Sequence, residues 1–270
     1  MAEELIKVRV ESEIAYIALN RPDKRNAIST AVLRAIPDAL ASADQPGVRA
    51  IIVYGEGAVF SAGIDFSSFG GEGGVQGNSS AGRADLSRFR NFISESQAAL
   101  NRFEAIEKPV IAALHGYVGG LGLELALACD ARIAAAGTRL GMPEVRIGLI
   151  PDVGGTTRLT RTVGYARAKE LIMTARMIDA EEASQIGLVN RVVESGRHIQ
   201  AAEELAREMA RNAPLAVGLA KRIIDRGHGL DKMSFMELEA LAQSALLLTE
   251  DFAEGAQALA QRRDPKFKGR

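Results

Sequence analysis

The chain reads as an α/β protein: repeated strand–strand–helix units closed by a helical carboxyl-terminal stretch. Three observations carry this reading. Short alternating or wholly apolar runs (IKVRV, IAYIAL, VRAIIVY, PVIAAL, RIAAA) recur between Ile6 and Ala136. Glycine-rich turns follow three of the strand-like stretches. From residue 198 to 262 strand character vanishes and helical spacing takes over. We therefore expect a core over 1–197 and a helical region over 198–270.

The elements follow in order. Ile6, Val8 and Val10 alternate as in a half-buried strand, and Ile14–Leu19 returns after a turn near Glu13. NRPDKRNAIS is a polar loop with Arg21, Lys24 and Arg25, and Ser29 can cap a helix running to about Ala43. VRAIIVY is a buried-type strand. FSSFGGEGGVQGNSSAGRADLS is too rich in Gly and Ser to bury much apolar area, so a mobile surface loop is expected. Phe89, Phe92, Ile93, Leu100 and Phe103 give a helix from about Leu86 to Ile106. PVIAAL is a strand, HGYVGGLG a turn, LELALACDA the helix it opens, and RIAAAG a strand again. TTRLTRTVG, ARAKELIMTA and DAEEASQIG are short helices, and LVNRVVE is the last strand.

Composition narrows the function classes. The chain has 270 residues, 47% hydrophobic and 25% charged, with a formal net charge of -1. Nothing in that balance draws it to nucleic acid or anionic membranes. A basic stripe for RNA is not found: on the 86–108 segment Arg88, Arg90, Arg102 and Lys108 face Glu95, Glu104 and Glu107. The single cysteine, Cys129, suits a reducing compartment and sits in ELALACDARI as a small core residue. The acidic start lacks a signal-peptide pattern and the apolar runs are short of a membrane span, so a soluble cytoplasmic protein is expected. The three histidines lack ligand spacing, so no metal site is expected. His115 reads as a satisfied structural histidine and Arg158 as a structural ion-pair partner. SAGID is not the nucleophile elbow, so Ser61 is not read as a nucleophile, and GYVGGLG does not fit a dinucleotide fingerprint.

The turns SAGID (61–65), HGYVGGLGLE (115–124) and IPDVGG (150–155) can present backbone N–H groups to a ligand, and two converging N–H groups stabilise charge on a carbonyl oxygen. Glu124 heads an otherwise apolar helix. The helix dipole alone would favour an acid there, but Leu123, Leu125 and Leu127 around it imply burial and a raised pKa. In PEVRIGLIPDVGG, Glu144 and Asp152 stand eight residues apart around an apolar run. Asp152 can act chemically, shape a pocket, or cap the helix starting near Gly154.

FSAGID, KPVIAALHGYVGGLGLELALACDARIA and MPEVRIGLIPDVGGTTRLTRTVG, with NRPDKRNA before them and EGAQALAQRRDPKFKG after, resemble the crotonase superfamily of enoyl-CoA hydratases and isomerases. The likeness spans almost the whole chain. It implies a spiral of ββα units with helices that pack on neighbouring subunits, in a homotrimer or homohexamer. It implies an acyl-CoA thioester as substrate, with coenzyme A part of that substrate and no separate cofactor. By position, the backbone N–H groups of Ile64 and Leu121 would form the oxyanion hole. Many relatives carry Gly at the second place, but a backbone donor tolerates Leu. Lys24 and Arg25 match the segment beside the CoA nucleotide, Ala62, Gly63 and Asp65 of FSAGID with the following Phe66 belong to the segment at the CoA, and Phe267 and Lys268 match a tail that reaches a neighbour's CoA. Glu124 and Glu144 have the twenty-residue spacing of the hydratase pair. Asp152 stands where typical hydratases have Gly and dienoyl-CoA isomerases have Asp, whereas those isomerases have Asp in place of Glu124. The resemblance thus implies a 2-enoyl-CoA hydratase first, a 3,5-dienoyl-CoA to 2,4-dienoyl-CoA isomerase using Glu144 and Asp152 second, and a non-catalytic acyl-CoA binder third. Acyl length would depend on the Gly/Ser loop and the helix after it.

Overall fold

The structure, a computed structural model, describes residues 4–69 and 86–270. Most of the Gly/Ser stretch expected to be a mobile loop lies outside the described residues.

Strand β1 (Ile6–Glu11) turns into β2 (Ile14–Leu19), the two pairing antiparallel from Ile6 opposite Leu19. Helix α1 (Thr30–Ala43) begins where Ser29 Oγ accepts the Val32 N–H at 3.3 Å. Then come β3 (Ala50–Gly55), α2 (Leu86–Ala105), β4 (Val110–Leu114), β5 (Tyr117–Gly119), α3 (Leu121–Leu127), β6 (Ala131–Ala135) and β7 (Arg139–Gly141). Helix α4 (Gly155–Thr174) is broken by Gly164 at φ 77°, which explains why its sequence reads as two helices. The chain ends with β8 (Ile178–Asp179), α5 (Ala180–Gln185), β9 (Arg191–Val193), α6 (His198–Ala210), α7 (Pro214–Gly227), α8 (Lys232–Leu246) and α9 (Glu250–Gln261).

Among the described residues the strands form two sheets, β1-β2-β3-β4-β6-β9 and β5-β7-β8. Beyond the first hairpin every pairing in the larger sheet is parallel. Parallel strands covered on both faces are apolar throughout, and β2, β3 and β4 are buried along their length. One face, with Ile17, Ile51, Val53 and Leu114, packs in the main core with α1 and α3. The other, with Tyr16, Ile52, Ile111 and Ile133, packs on Ala201, Ala202 and Ala206 of α6. Small side chains there let the helix lie close to the sheet. Helix α6 is therefore built into the core, although it lies on the carboxyl side of the boundary expected at 197/198.

Three short strands were not anticipated. β5 lies inside the glycine turn, and β7 and β8 have three and two residues, too few for a two-residue period to register.

Buried Cys129 is a free thiol at the end of α3, as its sequence setting suggests. The ring of His115 stacks on His198 with centroids 4.5 Å apart, and its Nε2 lies 3.0 Å from Gly57 O. Its Nδ1 is buried with no partner among the described residues, so the expected satisfied histidine is only half satisfied. Arg158 is an ion-pair partner, as expected, with Nε 2.6 Å from Glu104 Oε1.

Candidate active site

The site forms where the larger sheet's loops meet β5 and α3. Ser61 bridges to Val118 of β5, and Ile64 bridges in parallel to Ile28. In that second bridge Ile28 N–H donates to Gly63 O at 2.7 Å and Asp65 N–H donates to Ile28 O at 2.9 Å. Successive backbone groups of an extended segment alternate in direction. The N–H of Ile64 therefore points away from Ile28, and among the described residues no backbone acceptor meets it. Leu121 is the first residue of α3, and the opening N–H groups of a helix lack intrahelical acceptors. The preceding N–H groups are consumed: Gly119 N donates to Ser61 O and Gly120 N to Gly141 O. Close approach of the two turns depends on Gly63, at φ 99°, where a Cβ would sit 2.8 Å from Gly119 O.

Glu124 lies one turn into α3 and is 2% exposed. Both of its acceptor bonds fall on one oxygen: Oε1 receives the N–H of Val153 at 2.9 Å and of Gly155 at 2.7 Å. Burial pushes its pKa up to about 8, against the pull of those N–H groups and with help from Glu144 and Asp152. The proton of the neutral form thus belongs on Oε2.

Glu144 opens a single 3-10 turn, Glu144–Ile147. Its Oε2 is buried with no partner among the described residues, and burial, with Asp152 adding its charge, raises its pKa. Asp152 is half-buried and its pKa is likewise raised by burial. Asp152 does not cap α4: the capping position is Gly154, and no side chain bonds there. That structural explanation of Asp152 falls away.

These groups share one cavity of about 260 Å³. Ala62, Gly63, Ile64, Phe66, Leu121, Glu124, Glu144 and Asp152, all singled out by sequence, line it, together with Gly120, Pro143, Arg146 and the apolar Ile147, Leu149, Ile150 and Val153. Three carboxyls with raised pKa values stand beside two outward-facing N–H groups on an apolar wall. Such an arrangement can bind a carbonyl oxygen and move a proton at neighbouring carbons.

The remaining expected residues lie elsewhere. Asp65 does not line the cavity and instead meets Arg21 at 2.8 Å. Lys24 and Arg25 are exposed on the turn beside it, whose backbone is joined to the cavity wall by Ala62 N–H donating to Arg25 O at 2.9 Å. Phe267 and Lys268 do not line this cavity: Phe267 O accepts from Arg49 at 2.6 Å and Lys268 N–H donates to Asp251 at 2.6 Å. Ser61 Oγ donates to Asn26 O at 2.8 Å, a structural role. Sequence reading passed over Asn26, a buried residue that ties the KRN turn to Glu56 and Val59. It also passed over Gln97 and the part Arg158 plays at Val153 (3.0 Å from Nη1 to the carbonyl). No local motif marks such long-range bonds.

Comparison with known proteins places the chain in a family. The family model described as enoyl-CoA hydratase/isomerase matches residues 9–270. The chain is 37% identical over 263 residues to the short-chain-enoyl-CoA hydratase of Clostridium acetobutylicum, covering 96% of each. It is 38% identical over 269 residues to the crotonyl-CoA hydratase of Syntrophomonas wolfei, covering 99% of each. The crystal structure of an enoyl-CoA hydratase from Bacillus anthracis superimposes with a TM-score of 0.89 at 36% identity, over 99% of this chain and 100% of that one. The chain belongs to the enoyl-CoA hydratase/isomerase family and has its crotonase fold.

Proposed function

We propose that this protein adds water across the 2,3 double bond of an enoyl-CoA thioester. The observation that carries the reading is the pairing of Glu124 and Glu144 in one cavity with the outward-facing N–H groups of Ile64 and Leu121. The thioester carbonyl sits between the two N–H groups, which stabilise the enolate oxygen as it forms. Glu124 and Glu144 hold a water against Cβ. Buried carboxyls in mutual repulsion titrate as a pair, and near neutral pH the pair keeps one proton. The water oxygen bonds to Cβ, its proton passes to the pair, and Glu144 delivers a proton to Cα as the enolate collapses. One water is consumed and the pair returns to its starting charge.

Lys24 and Arg25 suit the CoA phosphates, being exposed cations on a turn fixed to the cavity wall. Phe267 and Lys268 lie outside their own chain's cavity lining, and the proposal assigns them to a neighbour's CoA. Assembly as a homotrimer or homohexamer is part of the reading. It is supported by the exposed Ile224, Met233, Met236, Leu241, Leu248 and Leu259 on and between α7, α8 and α9. The core over 1–197 and the helices of 198–270 divide labour accordingly, with α6 shared. Among the described residues no helix is long and apolar enough to cross a membrane, and the free buried thiol fits a cytoplasmic setting.

Asp152 supports a second activity. Its carboxyl lines the same cavity and does not cap α4, so Glu144 and Asp152 can remove and return a proton at the two ends of a conjugated 3,5-dienoyl-CoA. Incubation with 2-trans-enoyl-CoA and, separately, 3,5-dienoyl-CoA thioesters tests both, with products weighed by mass spectrometry. A gain of one water on the enoyl substrate is expected. Binding of acyl-CoA with no turnover of either would make the protein a binder and overturn the proposal.

A further inference from the structure

The loop Asp152–Gly155 is bonded on two sides. Inward, the N–H groups of Val153 and Gly155 converge on Glu124 Oε1. Outward, two successive carbonyls are held. Gln97 Nε2, from α2, donates to Asp152 O at 2.6 Å. Arg158 Nη1 donates to Val153 O at 3.0 Å, while its Nη2 donates to Asn101 at 2.6 Å and its Nε to Glu104. Residues 97, 101 and 104 are four and three apart, so they form one row on the face of α2.

The carbonyl that Gln97 grips and the N–H that Val153 offers to Glu124 belong to the same planar peptide unit. A donor on the oxygen of a peptide polarises its N–H and strengthens the bond that N–H makes, as in any hydrogen-bond chain. The sequence of atoms is therefore Gln97 amide, Asp152–Val153 peptide, Glu124 Oε1, with bonds of 2.6 and 2.9 Å. We infer that Gln97 is a positioning residue that acts on Glu124 through the Asp152–Val153 peptide, fixing which oxygen of Glu124 carries the proton and how firmly it is held. Gln97 is half-buried, does not line the cavity and touches no reacting atom.

The inference rests on the hydratase reading only for its kinetic readout. Bonds from Val153 and Gly155 favour ionised Glu124. The other charged groups around it are Glu144, Asp152 and Arg146 in the cavity, and Arg158 with Glu104 behind the loop. Removing the Gln97 amide alters the charge of none of them. Weakening a bond to Glu124 raises the pH at which the carboxyl pair gives up its last proton. In Gln97→Met, which keeps length and loses the donor, the alkaline limb of kcat moves up by a few tenths of a pH unit to about one. The same shift is read without turnover by infrared titration of the Glu124 carboxyl, assigned with Glu124→Gln. Gln97→Glu separates this role from packing. The introduced carboxyl keeps the size of the amide, donates as it does while protonated and cannot once ionised, so the alkaline limb of this variant moves up at least as far as in Gln97→Met. An unmoved infrared midpoint in Gln97→Met, or a pH-independent loss in both variants, overturns the inference. Absence of turnover by the wild type with a shifted infrared midpoint would instead retire the hydratase reading and leave the inference standing.

Discussion

A Cβ placed on Gly120 would lie 2.6 Å from Glu144 Oε1. The residue before the proposed second oxyanion donor and the proposed proton donor to Cα thus share one small space, and Gly120 also holds φ 49° and ψ -125°, outside the regions open to L side chains. Substitution here would strike both halves of the proposed mechanism. Gly120→Ala is expected to lower kcat for hydration by about a hundredfold or more, the scale of one lost oxyanion donor, while thermal unfolding shifts modestly. A variant with wild-type kcat would show that the two groups do not cooperate in this space.

Glu124 links activity to stability. Its folded pKa, about 8, lies above its ordinary 4.5. The folded state therefore binds more protons than the unfolded chain through that window, and stability is full below pH 4.5 and falls as pH rises to 8. Glu124→Gln keeps an acceptor for Val153 and Gly155 and carries no charge. Its melting temperature should match wild type near pH 4.5 and exceed it at pH 8, by a free energy on the order of a few kcal/mol. Activity should fall by roughly a hundred- to ten-thousand-fold. Parallel melting curves at all pH values would refute the burial account of this carboxyl.

On the proposed reading, Asp152 decides the balance of activities. With 3,5-dienoyl-CoA, Asp152→Gly should lose isomerisation by about a hundredfold or more and keep hydration of 2-enoyl-CoA within a fewfold. Equal effects on both substrates would assign Asp152 to the shape of the pocket rather than to proton transfer.

The start of α1 offers a test of the fold itself. Ser29 is buried and its hydroxyl accepts the Val32 N–H. Ser29→Ala should cost about 1 kcal/mol in denaturant unfolding with the alkaline limb of kcat unmoved. A cost near zero would mean that the helix start is held by its apolar packing alone.

The parts legible in the sequence were those with a local signature. Ile14–Leu19 shows as a strand because its whole length is apolar, and Ser29 marks its helix because a short side-chain acceptor one residue before the first turn caps a helix. Glu124, Glu144, Ile64 and Leu121 could be singled out because the short segments that hold them resemble motifs of the family. What escaped was set by contacts distant in the chain. β5 and β8 are too short to show a period and exist through their pairing with β7. Helix α6 resembles its three successors in sequence, yet its row of alanines against Ile52 and Ile111 makes it part of the core. Asp152 resembled a cap until the backbone at Gly154 removed that role, and the bond from Gln97 spans 55 positions.

The central claim is that Glu144, in concert with Glu124, carries the proton to Cα. The measurement that tests it most directly is kcat for hydration of 2-trans-enoyl-CoA by Glu144→Gln, run in deuterium oxide with the product examined for deuterium at Cα. The account predicts that wild type places one deuterium there and that the variant loses roughly a hundred- to ten-thousand-fold in kcat while still binding acyl-CoA. Undiminished hydration by Glu144→Gln, with deuterium still delivered to Cα, would contradict it.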